Sequence, residues 1–582
     1  MTGILCSALW LVNHGVPRTF LRLRVDKPIL LVLNVHRERS RNGLALLLAW
    51  FLELILSLIN RVRETAFRAT LAQEGGRIAI LGIDVGTGGT RAVLVDEHGT
   101  VLASGTEEHA NFASPQPGWA EQDPRDWWRA AVLAIRRALQ ASGLAAESIA
   151  AVGFSGQMHG AVLLDENNEV IRPALIWCDQ RTEAQAQELE RTIGLGRLIQ
   201  LTCNPPLTNF TVTKLLWVRE HEPKNWQRVR KIMLPKDYVR LRLTGESAID
   251  VADASGTLLL DVAHRTWSNE VLSKTGIDLK LLPKLFESQE ICGKLRGAGA
   301  DATGLPAGTP VVAGAGDQAA GAVGMGITRA GVVSATLGTS GVVFAATDRP
   351  SLDPKGRLHT FCHAIPDRWH VMGVTQAAGL SLRWFRDRFG AGTDDGRDPY
   401  ERLSAEAATV PAGSEGAFWA PYLMGERTPH LDPFARAAFV GLSASHTRAH
   451  LIRAVLEGVA YSLKDTFSIF DKIHVPVERI RLGGGGGRSP LWQQIQADVY
   501  AHEVEILKAE EGAAYGAAIL AGVGSGCWKS VDEACDAAVR VANRVSANKE
   551  SSAIMQRGYQ TYRRIYPALH SIFAEDRTSS AK

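Results

Sequence analysis

Two aspartates stand where apolar runs give way to small residues, and both have the surroundings of charge-handling chemistry. Ile78–Asp84 reads IAILGID, and Val85-Gly86-Thr87-Gly88-Gly89-Thr90-Arg91 follows at once. A glycine-rich turn lets backbone N–H groups approach an anion closely, and the hydroxyls of Thr87 and Thr90 add further donors of phosphate size. Asp84 is suited to hold a magnesium ion through water, because magnesium keeps part of its hydration shell. The plainer alternative is a glycine-rich hairpin carrying a solvated acid. The second aspartate, Asp317, lies in Ala313-Gly314-Ala315-Gly316-Asp317-Gln318, between the apolar strand Pro310–Val312 and a small-residue helix over Ala319–Gly326. It is either a helix N-cap or a general base facing a cleft. Two glycine clusters complete the set. Gly338-Thr339-Ser340-Gly341 follows Leu337 as a second tip. Gly483–Gly487, with Arg488 and Ser489, joins a strand to a helix. Five successive glycines read as room for a flat ligand such as adenine rather than as packing; a flexible loop is the alternative.

These residues need elements to hold them. Ile78–Asp84 is a continuous apolar run, as a strand covered on both faces should be. Thr90–Asp96 alternates as a second strand and Val101–Ser104 makes a third. Asp123 and Pro124 then open a helix that runs to Gly143, and Ile149–Ser155 is the next buried strand. The order β-β-β-α-β recurs in outline later. Val332–Leu337, the second tip, Val342–Ala345 and Trp369–Thr375 precede helical patterns at Leu380–Phe389 and Ala449–Phe470. A strand at Arg479–Gly483 and a helix at Pro490–His502 follow. Two hairpins with Gly-Thr tips, in halves of similar size, predict an internal duplication. The pattern predicts an α/β chain whose two lobes pinch a phosphate chain between them.

The 582 residues exceed one ordinary domain, at roughly 100–200 residues each. Hydrophobic content of 46% with 21% charged residues excludes a disordered chain, and a net charge of +3 excludes a dedicated nucleic-acid binder. The seven cysteines are scattered without CxxC spacing, which argues against a zinc ribbon or a disulfide framework and for a reducing, cytoplasmic setting. Residues 1–76 stand apart. They carry ten Lys and Arg against five Asp and Glu, so the basic balance belongs to them. Leu44–Ile59 (LALLLAWFLELILSLI) is too short to span a bilayer and holds Glu53. Two readings stand: an amphipathic helix lying on a membrane or partner, or a start site placed too far upstream. The expected division is an extension over 1–76, a sugar-binding half over 77–326 and a nucleotide-binding half over 327–582.

At this point the chain resembles the FGGY family of carbohydrate kinases, from about Ile78 to Leu569. Asp84–Arg91 resembles the family's first phosphate motif, Gly338–Gly341 the second, and Gly484–Ser489 the adenosine motif. Phe210–Trp217 (FTVTKLLW) and Phe439–Glu457 (FVGLSASHTRAHLIRAVLE) resemble its two signatures, and Gly118–Pro124 with Trp127-Trp128 is another of its phrases. Ser155–Gly160 (SGQMHG), Trp177–Arg181 (WCDQR) and Pro421–Pro429 (PYLMGERTP) resemble the xylulose-kinase members. Small departures exist: Gln318 and Cys178 replace residues that are commonly Asn, and the glycine run is one longer.

The resemblance implies the two-lobed, actin-like and ribonuclease H-like ATPase fold around a catalytic cleft. It implies ATP-dependent phosphorylation of a ketopentose, D-xylulose, at its 5-hydroxyl. Asp317 would then accept the hydroxyl proton, and Asp84 would support activity and hold magnesium. Thr87, Gly88, Thr90, Arg91, Gly338, Thr339 and Gly484, Gly485, Gly486 and Gly487 would bind ATP. Met158 and His159, with Asp179, Trp119 and Glu121 nearby, would orient the sugar. The partners implied are a sugar and ATP, with no nucleic acid, with membrane contact only through the 44–59 stripe, and with a monomer or homodimer as the assembly. A different ketopentose, polyol or sugar acid is the alternative within the class. A non-catalytic actin-like ATP-binding protein is the alternative outside it.

Overall fold

The structure is a computed structural model. It describes residues 78–390, 396–508 and 512–579, together with the backbone of 21–25 and 27–31. The chain forms two units that divide between Gly76 and Arg77. In the first, Leu21–Val25 and Lys27–Leu31 pair as antiparallel strands. The 44–59 stripe lies outside the described residues. Among the described residues, no helix is long and apolar enough to cross a membrane.

The second unit contains two sheets of one plan. In the first sheet, β1 (Ala79–Val85), β2 (Gly89–Asp96) and β3 (Val101–Glu108) form an antiparallel meander. The helix α1 (Pro124–Ser142) then crosses to β4 (Ile149–Gly156), which lies parallel to β1. Asp123 caps α1 by accepting from the Arg125 N–H, and Gly143 ends it in the left-handed region at φ 65°. Outside β4 lie β5 (Ile291–Lys294) and β6 (Pro310–Val312), and the two-residue strand β7 (Ala315–Gly316) pairs with the end of β4. The helix α2 (Asp317–Gly324) starts directly after it.

The second sheet repeats the plan. Strands β8 (Gly331–Leu337), β9 (Gly341–Thr347), β10 (His359–Cys362) and β11 (Trp369–Thr375) are antiparallel to their neighbours, in the order β10-β11-β9-β8. The long helix α3 (Arg448–Lys472) leads to β12 (Val477–Gly483), parallel to β8, and α4 (Pro490–Tyr500) leads to β13 (Val504–Leu507), parallel to β12. The expected duplication is therefore a property of the sheets: β1, β2 and β4 correspond in pairing to β8, β9 and β12.

The expected helix at 319–326 begins two residues earlier, so Gly316 is the N-cap and Asp317 is inside the first turn. One packing relation crosses the sequence halves. The helix α5 (Gly512–Gly524) lies on β1 and β4 and against α2, and its approach is backbone to backbone. A Cβ on Gly82 would fall 1.9 Å from the Ala514 carbonyl oxygen, one on Gly153 2.0 Å from that of Ala517, and one on Gly516 1.8 Å from that of Ala320. Ile80, Ala151, Ala320, Val323, Ala518 and Ile519 fill the core between these layers.

Candidate functional site

Strands β1, β4 and β7 are parallel and end level, with Asp84 beside Ser155, Ser155 beside Ala315, and Gly156 beside Gly316. That register delivers Asp84 and Asp317 to neighbouring strand ends. Burial pushes the Asp317 carboxyl up to about 7, and the charge of Asp84 adds to the rise. Asp84 is itself raised by burial, against the Ser155 hydroxyl and the Arg91 guanidinium beside it. Arg91 is the cross-strand partner of Asp84 in the β1–β2 ladder. Asp84 Oδ1 is buried and accepts no hydrogen bond. An unanswered carboxylate oxygen at a strand end is what a hydrated divalent cation would use, so the residues fit one.

Met158 and His159 follow β4 and are both buried. A Cβ on Gly316 would meet Met158 Cγ at 2.8 Å, so Met158 packs on the residue before Asp317. His159 has φ 67°, and its Nδ1 donates to the Gly256 carbonyl at 2.7 Å. Burial and the nearby charges of Lys214 and Arg427 hold the imidazole down at about 3, so it is neutral and Nε2 keeps its lone pair for an incoming hydroxyl. Its ring stands edge-on to Phe210 at 5.1 Å and tilts against Phe361 of β10 at 6.2 Å.

Trp119, Glu121 and Asp179 come together differently from the expectation. Asp179 has no exposed surface. Its Oδ2 accepts from the Ala120 N–H and from Arg181 Nη2, both at 2.7 Å, and its Oδ1 accepts from the Arg181 N–H at 3.0 Å. Glu121 pairs with Arg172 at 2.5 Å and Arg181 at 2.8 Å, and the Arg181 guanidinium lies 3.6 Å over the Trp119 ring. Both carboxylates are occupied inside the protein, because two buried arginines require them.

The first tip is braced by side chains. The Thr87 hydroxyl donates to Gln157 Oε1 at 3.1 Å and accepts from the Trp177 indole at 2.9 Å. Thr90 is fully buried and its hydroxyl bonds His109 Nε2 at 2.9 Å, so the structure turns it away from the surface of the tip. Gly88 is exposed with open space around it. The second tip leaves Gly338 and Thr339 exposed. The reading of the glycine run as free of packing is corrected. Gly484 sits at φ 74° with its Cβ direction 2.6 Å from the Leu337 carbonyl oxygen, and Gly486 is closed in by Leu337 and Trp492. Gly485 alone of Gly483–Gly487 is both exposed and open.

A match to the FGGY N-terminal domain of carbohydrate kinases covers residues 79–324, and one to the C-terminal domain covers 333–525. The chain belongs to the FGGY family of carbohydrate kinases. It is similar to the xylulose kinase of Escherichia coli K12, at 39% identity over 497 residues covering 85% of this chain and all of that one. It is also similar to the xylulose kinase of Bacillus subtilis 168, at 37% over 487 residues, covering 84% and 96%. Its fold matches the crystal structure of xylulose kinase from Rhodospirillum rubrum with a TM-score of 0.78 and 32% identity, covering 85% of this chain and all of that one. An FGGY kinase acts on a sugar and a phosphoryl donor, ATP, so the two aspartates stand in a sugar kinase.

Sequence reasoning missed what supports this site. Lys236 bridges Asp237 and Asp250, each at 2.6 Å, and Asp253 at 3.1 Å, and Arg240 pairs with Asp237 at 3.0 Å; all five are fully buried. Burial raises Asp253 well above the usual carboxylate range. The three aspartates have the spacing of a metal cluster, but the Lys236 ammonium fills the centre. Arg240 also donates to the Ala313 carbonyl, and Lys236 lies against Gly156, so the cluster bolts the chain before Asp317 to the end of β4. The only sequence signal was the Lys236/Asp237/Arg240 spacing on one helix, which reads as a solvated charged face.

Proposed function

We propose that this FGGY kinase transfers the γ-phosphoryl group of ATP to the 5-hydroxyl of D-xylulose. The observation that carries the reading is the level ending of β1, β4 and β7, which puts Asp84, Met158–His159 and Asp317 around one place. Phosphoryl transfer is mostly positioning and charge stabilisation, with one proton to remove from the attacking hydroxyl. Asp317 is assigned that proton. A carboxyl near 7 has an affinity matched to neutral pH, which suits a base that must take a proton and later release it. His159 Nε2 is assigned a sugar hydroxyl and Met158 the apolar edge of the sugar. Asp84 would hold magnesium, which when bound neutralises phosphate charge.

Residues 77–326 are assigned to the sugar and 327–582 to the nucleotide. The exposed tip residues Gly88, Gly338 and Thr339 are assigned to the phosphates and the open face of Gly485 to adenosine. Glu121 and Asp179 act in this reading through Arg181 and Trp119. The neutral His159 and the identities to xylulose kinases support an uncharged ketose. An ATP-consuming sugar kinase also suits a cytoplasmic setting. The test is ADP release by the purified full chain with D-xylulose, D-ribulose, xylitol, gluconate or no sugar. Release that is fastest with D-xylulose supports the reading. Absence of release with every sugar overturns it in favour of a non-catalytic ATP-binding role, and preference for another sugar reassigns the substrate.

A further inference from the structure

Gln157 stands between segments that the proposed function gives to different substrates. Met158 and His159 follow it on the sugar side, whereas its own amide reaches the first tip. The residue is 1% exposed, and its backbone N–H donates to the Val85 carbonyl at 2.9 Å. Its Nε2 donates to the Gly86 carbonyl at 3.3 Å and to Gln122 Oε1 at 3.0 Å, while Oε1 accepts from the Thr87 hydroxyl. Gln122 closes the circuit: its Nε2 donates to the Thr87 carbonyl at 2.8 Å, and its Oε1 also accepts from the Trp127 indole at 3.2 Å.

Each donor in this circuit meets an acceptor, which gives the Gln157 amide one orientation. Turned over, its oxygen would face the Gly86 carbonyl and Gln122 Oε1, two acceptors. The single proton of the Thr87 hydroxyl is thereby directed at Gln157, with Trp177 donating to the same oxygen. A phosphate oxygen only accepts, so the Thr87 hydroxyl donates to it only by turning away from Gln157 Oε1. The segment that follows is stiff: the His159 carbonyl accepts from Lys214 Nζ at 3.0 Å and Thr211 Oγ1 at 3.2 Å. A shift there passes to Gln157 instead of being absorbed.

We propose that Gln157 is a positioning residue that ties the phosphate-binding tip to the sugar-binding segment, so that each site senses occupation of the other. The inference rests on the assignment of those two segments under the proposed function. Coupling between binding sites is reciprocal, so sugar should change nucleotide affinity by the factor that nucleotide changes sugar affinity.

The test compares wild type, Gln157→Leu, Thr87→Val and the double variant. Michaelis constants for both substrates are measured, with calorimetric affinity for ADP in the presence and absence of D-xylulose. In the wild type, D-xylulose should alter ADP affinity. Gln157→Leu should raise the ATP constant by about tenfold, the size of one or two lost hydrogen bonds. It should leave the D-xylulose constant within about twofold and abolish the effect of sugar on ADP affinity. Thr87→Val should abolish the same effect, and the double variant should add little, because both changes cut one connection. Should Gln157→Leu not fold, Thr87→Val alone carries the test. Equal weakening of both substrates at an unchanged melting temperature, fully additive losses, or a sugar effect that survives Thr87→Val would overturn the proposal. Wild type without sugar-dependent ADP release would instead sink the proposed function itself.

Discussion

The two Gly-Thr tips share a strand plan but are held by different means. The first is enclosed by side chains that donate, accept or ionise: Gln157, Gln122, Trp177, His109, Asp84 and Arg91. The second is held by main chain. Thr339 O accepts from the N–H groups of Ala378 and Leu380, Gly338 O accepts from that of Gly379, and Gly484 lies against Leu337. A duplicated fold has thus kept its geometry twice and placed the ionisable groups once. Chemistry resides where side chains can take protons and charge, and shape resides where glycine lets main chains meet.

The sharpest way to break that contrast is Asp317→Asn. An amide of the same size cannot take the proton, so turnover should fall by roughly 10²- to 10⁴-fold with nucleotide affinity and melting temperature kept. Turnover above about a tenth of wild type would remove Asp317 as the base.

The reverse experiment acts on the other tip. In Gly379→Ala the new Cβ would lie 2.5 Å from the Gly338 carbonyl oxygen, and in Gly484→Ala it would lie 2.6 Å from that of Leu337, at a positive φ. Strain of about 1–3 kcal/mol per site should appear as a raised ATP constant, tenfold or more, with the D-xylulose constant little changed. If sugar and nucleotide weaken together, the second tip is not a separate main-chain device.

His159→Ala should raise the D-xylulose constant up to about tenfold and leave that of ATP alone, as one lost hydrogen bond to an uncharged hydroxyl implies.

A smaller effect tests one exception to the contrast, Glu426, a buried carboxyl in the second half. Its Oε1 accepts from the N–H groups of Gln376 and Arg427, yet burial still pushes it up to about 8. A folded-state value above the unfolded one contributes stability that is complete below about pH 4.5 and is lost as pH rises through 8. The melting temperature should therefore fall between about pH 4.5 and 8, less steeply in Glu426→Gln, by roughly 2–4 °C per kcal/mol relieved. Parallel curves would show that other groups carry the alkaline loss.

Local pattern made much of the fold legible. The apolar run into Asp84, the Asp123-Pro124 helix start and the second hairpin appear within a residue or two of where pattern puts them, because each is a short-range signal. Asp317 was equally legible as a position, but its environment was not. Its carboxyl is raised first by burial and then by the charge of Asp84, 233 residues away and two strands over. The Lys236 cluster and the Gln157–Thr87 circuit were hidden for the same reason, since strand register decides which distant residues share a layer. The glycine run misled because a row of glycines looks like open space, whereas Leu337 and Trp492 fill most of it.

The helix α5 carries a consequence for anyone who would cut or recombine this kinase. It comes from the second half of the chain yet forms a layer over the first sheet, seated on Gly82 and Gly153 with no side chain between. A fragment ending near Gly326 would leave that seat bare, and a fragment starting near Gly331 would carry a helix with nothing beneath it. The halves are therefore expected to be recovered as folded protein only when co-produced. A chimera that borrows its second half from a relative would need residues as small as alanine where α5 faces Gly82 and Gly153, and a glycine where it faces Ala320, whatever the similarity elsewhere.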